Sequence, residues 1–188
     1  ERTRSGHDLV AFNGDGREDV FLAQNFFPTE IETPRFDAGA GVLLLGDGHG
    51  GFDALGVKQS GISVLGDQRG AAAADYDGDG RVDLAVAQNG GPTTLWHNRT
   101  GQPGLRVRLD GGPGNPRGIG ARVQVATSRR RGPVRELHAG AGYWSMDAAT
   151  TVLALPPNAA SLIVHWPGGR EQGVSLKPGQ REVILSAP

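Results

Sequence analysis

Short runs of apolar residues, separated by turn-forming segments, follow one another along the whole chain. VFLA, VLLL and LAVA lie in the first half, and SLIVHW and EVIL lie close to the end. From residue 105 onward, LRVRL, ARVQVAT and VRELHA alternate apolar with polar residues, a period typical of strands with one buried face. No segment carries a convincing amphipathic helical period. The 31 glycines and 12 prolines supply the turns. The pattern therefore predicts an all-β fold.

An internal repeat organises the first part of the chain. AFNGDGREDVFLAQN (11–25) aligns with DYDGDGRVDLAVAQN (75–89), 64 positions later. Each copy is an acidic, turn-forming loop followed by a strand-like run. Between the copies, residues 26–40 contain two prolines and predict an irregular insertion. The pattern changes after GQPG, so we place a domain boundary there, with repeats in 1–101 and a second β domain in 102–188.

The loop of the second copy has the spacing of a metal site. Its carboxylates are Asp75, Asp77, Asp79 and Asp83, with the main-chain carbonyl of Arg81 as a further oxygen ligand. Calcium takes 6–8 oxygen ligands, and a flexible multidentate loop suits it better than magnesium. An EF-hand does not fit, because its bidentate glutamate would be a valine here and no helix flanks the loop. The alternative is a solvated Asp/Gly turn, but four spaced carboxylates favour Ca²⁺.

The loop of the first copy predicts a weaker site. An alanine takes its first position and Asn13 its third, which leaves Asp15, Asp19 and the carbonyl of Arg17. Two carboxylates are therefore lost, and we expect lower affinity or no ion. Asp8 could compensate only if the backbone folded back toward the loop.

Composition narrows the function classes. A net charge of −1 and a pI near 6.6 argue against a nucleic-acid-binding protein. No apolar run approaches the roughly 20 residues that span a membrane. The chain has no cysteine, which excludes disulfides and thiolate metal sites. Two lysines against seventeen arginines are typical of GC-rich genomes and favour a bacterial source.

Other motifs give weaker signals. GDGHGG (46–51) fits the dinucleotide-binding spacing, but FDALGVKQSG offers no following helix, so we interpret it as a hairpin turn. RRRG (129–132) could attract a polyanion, although a charged hairpin tip is the favoured interpretation. No histidine pair has metal-binding spacing, and Ser145 lacks the nucleophile elbow. The sequence therefore names no catalytic residue, and an enzymatic role stays open.

The aromatic residues of the second domain have two interpretations. Tyr143, Trp144 and Trp166 could line a ligand groove. In a small β domain with few aromatics, core positions are the favoured interpretation. Arg117 and Arg122, each close to glycines, could receive an anion, but this signal is weak.

The repeats resemble the FG-GAP or VCBS repeats of β-propellers, including those of integrin α-chains. The acidic loops and GVLLLGDGHGGF (41–52) carry the resemblance. The second domain resembles the ASPIC/UnbV domain of cartilage acidic protein-like proteins through NPRGIGARV (115–123), GAGYWS (140–145) and VHWPGGR (164–170). TTVLALPP (150–157) stands where relatives carry an H-F-G-L-G-like segment, so any role of that segment is in doubt here. Some bacterial relatives are encoded beside enediyne biosynthesis genes.

The resemblance implies more blades than this chain supplies. Propellers close with about 4–8 blades, and the repeats account for fewer than two. We therefore expect these to be the last blades of a propeller whose others lie upstream, in a separate chain or in another copy. The expected function is a non-catalytic calcium-binding module for a protein or glycan, secreted or periplasmic. The alternative is a cytoplasmic enzyme or accessory protein of specialised-metabolite (enediyne-type) biosynthesis, with a small molecule held at the domain junction.

Overall fold

The computed structural model describes residues 7–28, 30–33 and 39–188, and for residues 7–10 the backbone alone. Its elements, in chain order, are β1 His7–Val10, β2 Asp19–Leu22, β3 Val42–Gly46, β4 Phe52–Leu55, α1 Val57–Ser60, β5 Asp67–Ala74, β6 Asp83–Asn89, β7 Thr94–Trp96, β8 Leu105–Asp110, β9 Arg122–Thr127, β10 Arg135–Glu136, β11 Thr150–Leu153, β12 Ala159–His165, β13 Glu171–Ser175 and β14 Glu182–Ser186. The described part of the chain is thus almost entirely strand and loop, and the all-β prediction is confirmed.

The repeat region forms two antiparallel sheets that share one core. One sheet has the order β1-β2-β3-β4 and the other β5-β6-β7. Phe21 from the first sheet and Leu84 and Val86 from the second are at most 2% exposed and belong to the same apolar cluster. Strand alternation explains which residues are buried, because every second residue of each run points to the same face of its sheet. The two copies of the repeat therefore stack as neighbouring sheets.

The rest of the chain forms a two-layer sandwich. One layer has the order β10-β9-β12-β13 and the other β11-β8-β14, in which β8 and β14 run parallel. Side chains from both layers, including Val107, Val123 and Leu162, fill a second apolar cluster without measurable exposure. The period-two segments predicted from the sequence supply β8, β9 and β10. None of the four sheets closes into a barrel within the described residues.

The connections between the strands of the repeat region agree with the predictions in all but one case. FDALGVKQSG does contain one helical turn, α1, which ends at Gly61 in the left-handed conformation (φ 72°). GDGHGG is the turn of the β3–β4 hairpin, as predicted. The described residues of the 26–40 insertion contain no strand or helix, and residues 29 and 34–38 lie outside the described part. No helix among the described residues is long and apolar enough to cross a membrane.

The segment that joins the two halves is held between the two acidic loops. The Gln102 amide donates to the Asn13 carbonyl of the first loop (2.9 Å), and the Gly104 amide donates to the Gly80 carbonyl of the second loop (2.8 Å). A Cβ on Gly104 would lie 2.3 Å from the Leu153 carbonyl oxygen, so glycine is required for this close approach. Both loops are thereby fixed against the start of the sandwich.

Candidate metal centre

Three of the predicted carboxylates converge at the second loop. One oxygen from each of Asp75, Asp77 and Asp83 lies within 4.8 Å of the other two, with Asp77 exposed and the other two side chains buried. The loop turns tightly because Gly78 (φ 81°) and Gly80 (φ 83°) adopt the left-handed region. The Asp75 carboxylate accepts both glycine amides, at 2.9 and 3.0 Å. At these three positions, the spacing in the sequence therefore brings carboxylate oxygens close together in the structure.

Asp79 faces a different neighbour. Its carboxylate accepts the Arg81 main-chain amide (2.8 Å) and pairs with the Arg81 guanidinium. It forms a second group with Asp77 and His97. Burial acts to raise the pKa of Asp79, but hydrogen bonds and charge from Arg81 and a hydrogen bond from His97 outweigh it and hold the pKa below its usual value. Arg81 thus contributes its side chain to this arrangement, and its carbonyl stays a predicted ligand.

Asp83 ties the loop to the following strand. It is 2% exposed, and its carboxylate accepts the amides of Tyr76 (3.2 Å) and Asn98 (2.7 Å). Burial raises the pKa of Asp83 against the opposing effect of these two bonds. This aspartate therefore has a structural role in addition to any ligand role.

The first loop keeps the same structural aspartate. Asp19 is fully buried, and its carboxylate accepts the amides of Asn13 (3.2 Å) and Gly46 (3.1 Å). Burial is the largest influence on its pKa and raises it. The match to Asp83 shows that the last aspartate of each loop fixes the loop on its sheet.

The remaining positions of the first loop bind one another. The Asn13 amide group donates to Asp15 (3.0 Å), and Asp15 accepts the Arg17 main-chain amide (2.8 Å). Within the described residues, no three acidic or histidine ligands gather here as they do in the second loop. The side chain of Asp8 lies outside the described part. The weaker character of this site stays a prediction.

The sequence did not predict two basic side chains that lie beside the second loop. His97 Nε2 lies 2.9 Å from an Asp77 oxygen, and Arg106 Nε lies 2.8 Å from an Asp75 oxygen. The β6–β7 register, which pairs Leu84 with Trp96, places His97 opposite Asp83, so the predicted hairpin could have revealed it. Arg106 begins the sandwich on β8, and no local pattern connects it to a loop thirty residues earlier.

The donor chemistry fits a hard divalent cation. Asp75, Asp77 and Asp83 offer carboxylate oxygens alone, the type that Ca²⁺ selects. One oxygen of Asp75 faces Arg106, and one of Asp77 faces His97. An ion bound here would therefore share carboxylates with basic side chains.

Comparison with protein families identifies both halves. Residues 12–86 match the family described as FG-GAP-like repeat, and residues 111–188 match the family described as ASPIC and UnbV. The chain is an FG-GAP-like repeat followed by an ASPIC and UnbV domain. The resemblance to these two families that the sequence indicated is thereby confirmed. A search of curated proteins returned no match.

The family assignment sets the context of the acidic loops. FG-GAP repeats point to a β-propeller-like fold and are commonly calcium-binding. Together the two domains suggest a β-propeller-type extracellular or interaction module. The loop with the converging carboxylates lies inside the matched FG-GAP region, and Arg106 lies between the two matched regions.

The motif residues of the ASPIC and UnbV domain divide into core and surface. Trp166 is 5% exposed and belongs to the core, as predicted. Tyr143 and Trp144 are 47% and 90% exposed, so the core interpretation is wrong for both. Their rings stack at 5.8 Å, and Trp144 has a φ of 50°. The loop packs on β5, where a Cβ at Gly70 would lie 3.2 Å from the Tyr143 carbonyl oxygen, and this contact holds the pair at the surface.

Arg117 lies beside this loop at a cleft of about 440 Å³. Its guanidinium contacts the Met146 sulfur (3.2 Å), and no carboxylate partner is found for it within the described residues. Arg122 lies on β9 and is exposed. RRRG forms a hairpin tip in which the Thr127 amide donates to the Arg130 carbonyl (2.9 Å), as predicted.

Proposed function

We propose that this chain is a non-catalytic calcium-binding module whose ion is held by the 75–83 loop of the FG-GAP-like repeat. The convergence of the Asp75, Asp77 and Asp83 oxygens within 4.8 Å carries the proposal. Three carboxylates held this close repel one another, and a divalent ion relieves that repulsion. Asp79 and the Arg81 carbonyl complete the expected ligand set after Asp79 turns away from the Arg81 side chain.

The ion supplies rigidity to the loop and no chemistry. A bound ion would hold Asp77, the exposed member of the set, against the two buried carboxylates. The loop carries the Gly80 carbonyl that accepts the Gly104 amide, so a stiff loop also fixes the entry into the ASPIC and UnbV domain. Millimolar extracellular calcium saturates even weak sites, which supports a secreted or periplasmic location; the excess of arginine over lysine supports a bacterial source.

Calorimetric titration with calcium tests the proposal. Asp77→Asn removes a charged ligand at an exposed position, and we expect it to lower calcium affinity at least about tenfold, because each lost carboxylate weakens a hard-cation site. Asp47→Asn is the matched control, since Asp47 closes an Asx turn with His49 and Gly51 outside the loop. Equal affinity in both variants would contradict the assignment.

We also propose that another blade packs on the face of the β5-β6-β7 sheet opposite the shared core, next to the 146–149 segment that borders this face. The face opposite the shared core carries Ala72, Ala85 and Leu95, which the strand register places side by side. Leu95 is 55% exposed, an unusual position for a leucine beside two alanines. The stacking already present between the two sheets supplies the geometry for a further one. The blade would come from an upstream segment, a separate chain or a second copy.

Light scattering separates these occupants. A second copy predicts a dimer that Leu95→Glu converts to monomer, with Leu65→Glu as a control at a more exposed position (70%) outside the face. A longer chain that carries upstream blades should be monomeric and should protect Leu95 from solvent labelling. A monodisperse 19.6 kDa monomer whose stability is unaffected by Leu95→Glu would refute the proposal.

A second candidate function is small-molecule binding at the domain junction, as an accessory protein or enzyme of specialised-metabolite (enediyne-type) biosynthesis. The cleft beside Arg117 favours it, because pockets of a few hundred Å³ with convergent polar groups hold small ligands. Ligand-observed NMR with a library of aromatic carboxylates tests this function. Binding that Arg117→Gln and His138→Ala, two changes in the cleft lining, abolish supports it, whereas the absence of any binder refutes it.

A further inference from the structure

Arg106 is the basic residue that the ASPIC and UnbV half of the chain directs into the acidic loop. Its Nε lies 2.8 Å from an Asp75 oxygen, and the side chain of Asp75 has no exposed surface. The same guanidinium pairs through Nη1 with Glu182 on β14 (2.9 Å), whose side chain is half-exposed. Gly78 faces it as well, since a Cβ there would approach the Arg106 Cζ to 3.8 Å.

The loop carboxylates already have internal basic partners. Arg81 faces Asp79, His97 faces Asp77, and Arg106 faces Asp75. Arg81 lies in the loop and His97 directly follows β7 of the same sheet, so both move with the loop. Arg106 belongs to the sandwich, so its contact with Asp75 joins the two halves.

We propose that Arg106 competes with the divalent ion for the Asp75 carboxylate and thereby couples occupancy of the loop to the attachment of the ASPIC and UnbV domain. This inference rests on the proposed function. Asp75 accepts the Gly78 and Gly80 amides, and the Arg106 guanidinium lies against the same carboxylate, so an ion that approaches Asp75 meets a carboxylate already paired with a cation. A divalent ion that takes an Asp75 oxygen meets the positive charge of Arg106 and weakens its hold.

Coupling of this kind acts in both directions. If the sandwich contact lowers calcium affinity, calcium must loosen the sandwich contact by the same factor. The contacts that remain, such as the Gly104 amide on the Gly80 carbonyl, keep the halves joined. Calcium would therefore loosen one contact at the junction without separating the domains.

Calcium titration of charge variants tests the competition. Arg106→Gln should raise calcium affinity about tenfold, the order expected for removal of one unit charge from a divalent site near water. Arg108→Gln is the control, because Arg108 lies two residues further on the same face of β8 but is exposed. Arg106→Lys keeps the charge and should bind calcium within about twofold of the wild type.

Glu182→Gln, at a surface position, should change calcium affinity in the opposite direction to Arg106→Gln. Without this carboxylate, Arg106 is free to pair with Asp75 alone, so calcium affinity should fall by about twofold or more. Side-chain NMR supplies a second readout: calcium should shift the Arg106 Nε resonance in the wild type and leave the Gly104 amide, which donates to the Gly80 carbonyl, protected from exchange.

The outcomes separate the two proposals. Wild-type binding with unchanged or weaker affinity in Arg106→Gln would overturn the competition and leave the calcium site intact. Unchanged affinity in Glu182→Gln would overturn it as well. A wild type and variants that all fail to bind calcium would overturn the proposed function, on which this inference rests.

Discussion

Replacement of Asp83 by alanine should destabilise the protein even without metal. The carboxylate is 2% exposed and accepts two amides, from Tyr76 and Asn98, that have no other acceptor of comparable geometry in the loop. An amide left without its partner costs about 1–3 kcal/mol. The mutation also removes the burial penalty that raises the pKa of Asp83, which offsets part of the loss. We therefore expect a net loss of about 2–3 kcal/mol.

Urea unfolding in EDTA measures this loss. Asp77→Ala is the control. Asp77 is exposed, and its hydrogen bond from the Asp79 amide is exposed as well, so this substitution should lower the free energy of unfolding by less than about 1 kcal/mol. In saturating calcium both variants should lose further stability relative to the wild type, because each lacks a predicted ligand, and Asp83→Ala should remain the less stable of the two. Equal free energies of unfolding for the two variants in EDTA would refute the structural role assigned to Asp83.

Three further predictions follow from the same contacts. Gly80→Ala should lower the free energy of unfolding by about 1–2 kcal/mol in urea titrations, because Gly80 has a φ of 83° and faces Pro103 at 3.3 Å; an unchanged value would contradict this. Gly70→Val should displace the loop that holds Trp144, seen as a shift of tryptophan emission, whereas Gly173→Val, in open space and without a positive φ, should not. Hydrogen bonds from the His49 and Gly51 amides lower the pKa of Asp47, so its contribution to stability is complete above pH 3.8 and is lost as the pH falls through the lower folded value. Asp47→Asn should therefore flatten the fall in stability below pH 3.8, and an unchanged acid limb would contradict this.

The repeat and its strands could be predicted because their signals are local. Asp75, Asp77 and Asp83 follow a fixed spacing, and the alternation around Leu84 gives the strand face directly. The same spacing could not predict that the Asp79 carboxylate pairs with Arg81. The ligand spacing concerns the carboxylates alone and takes no account of the Arg81 side chain within the loop.

Contacts between distant segments left no such signal. Arg106 meets Asp75 because the sandwich packs on the repeat, and the loop that carries the exposed Trp144 lies against Gly70 of β5. Aromatic residues in small β domains are usually core residues, so composition favoured the wrong interpretation for Trp144. Topology, and not composition, decides such positions.

Thermal melting as a function of free calcium tests the central claim most directly. A ligand that binds the folded state alone stabilises by RT ln(1 + [L]/Kd), so the Tm of the wild type should rise steadily with the logarithm of calcium above the dissociation constant. Asp77→Asn should shift the onset of this rise to higher calcium, and Asp47→Asn should follow the wild type. A wild-type Tm that is the same in EDTA and in millimolar calcium would contradict the calcium site.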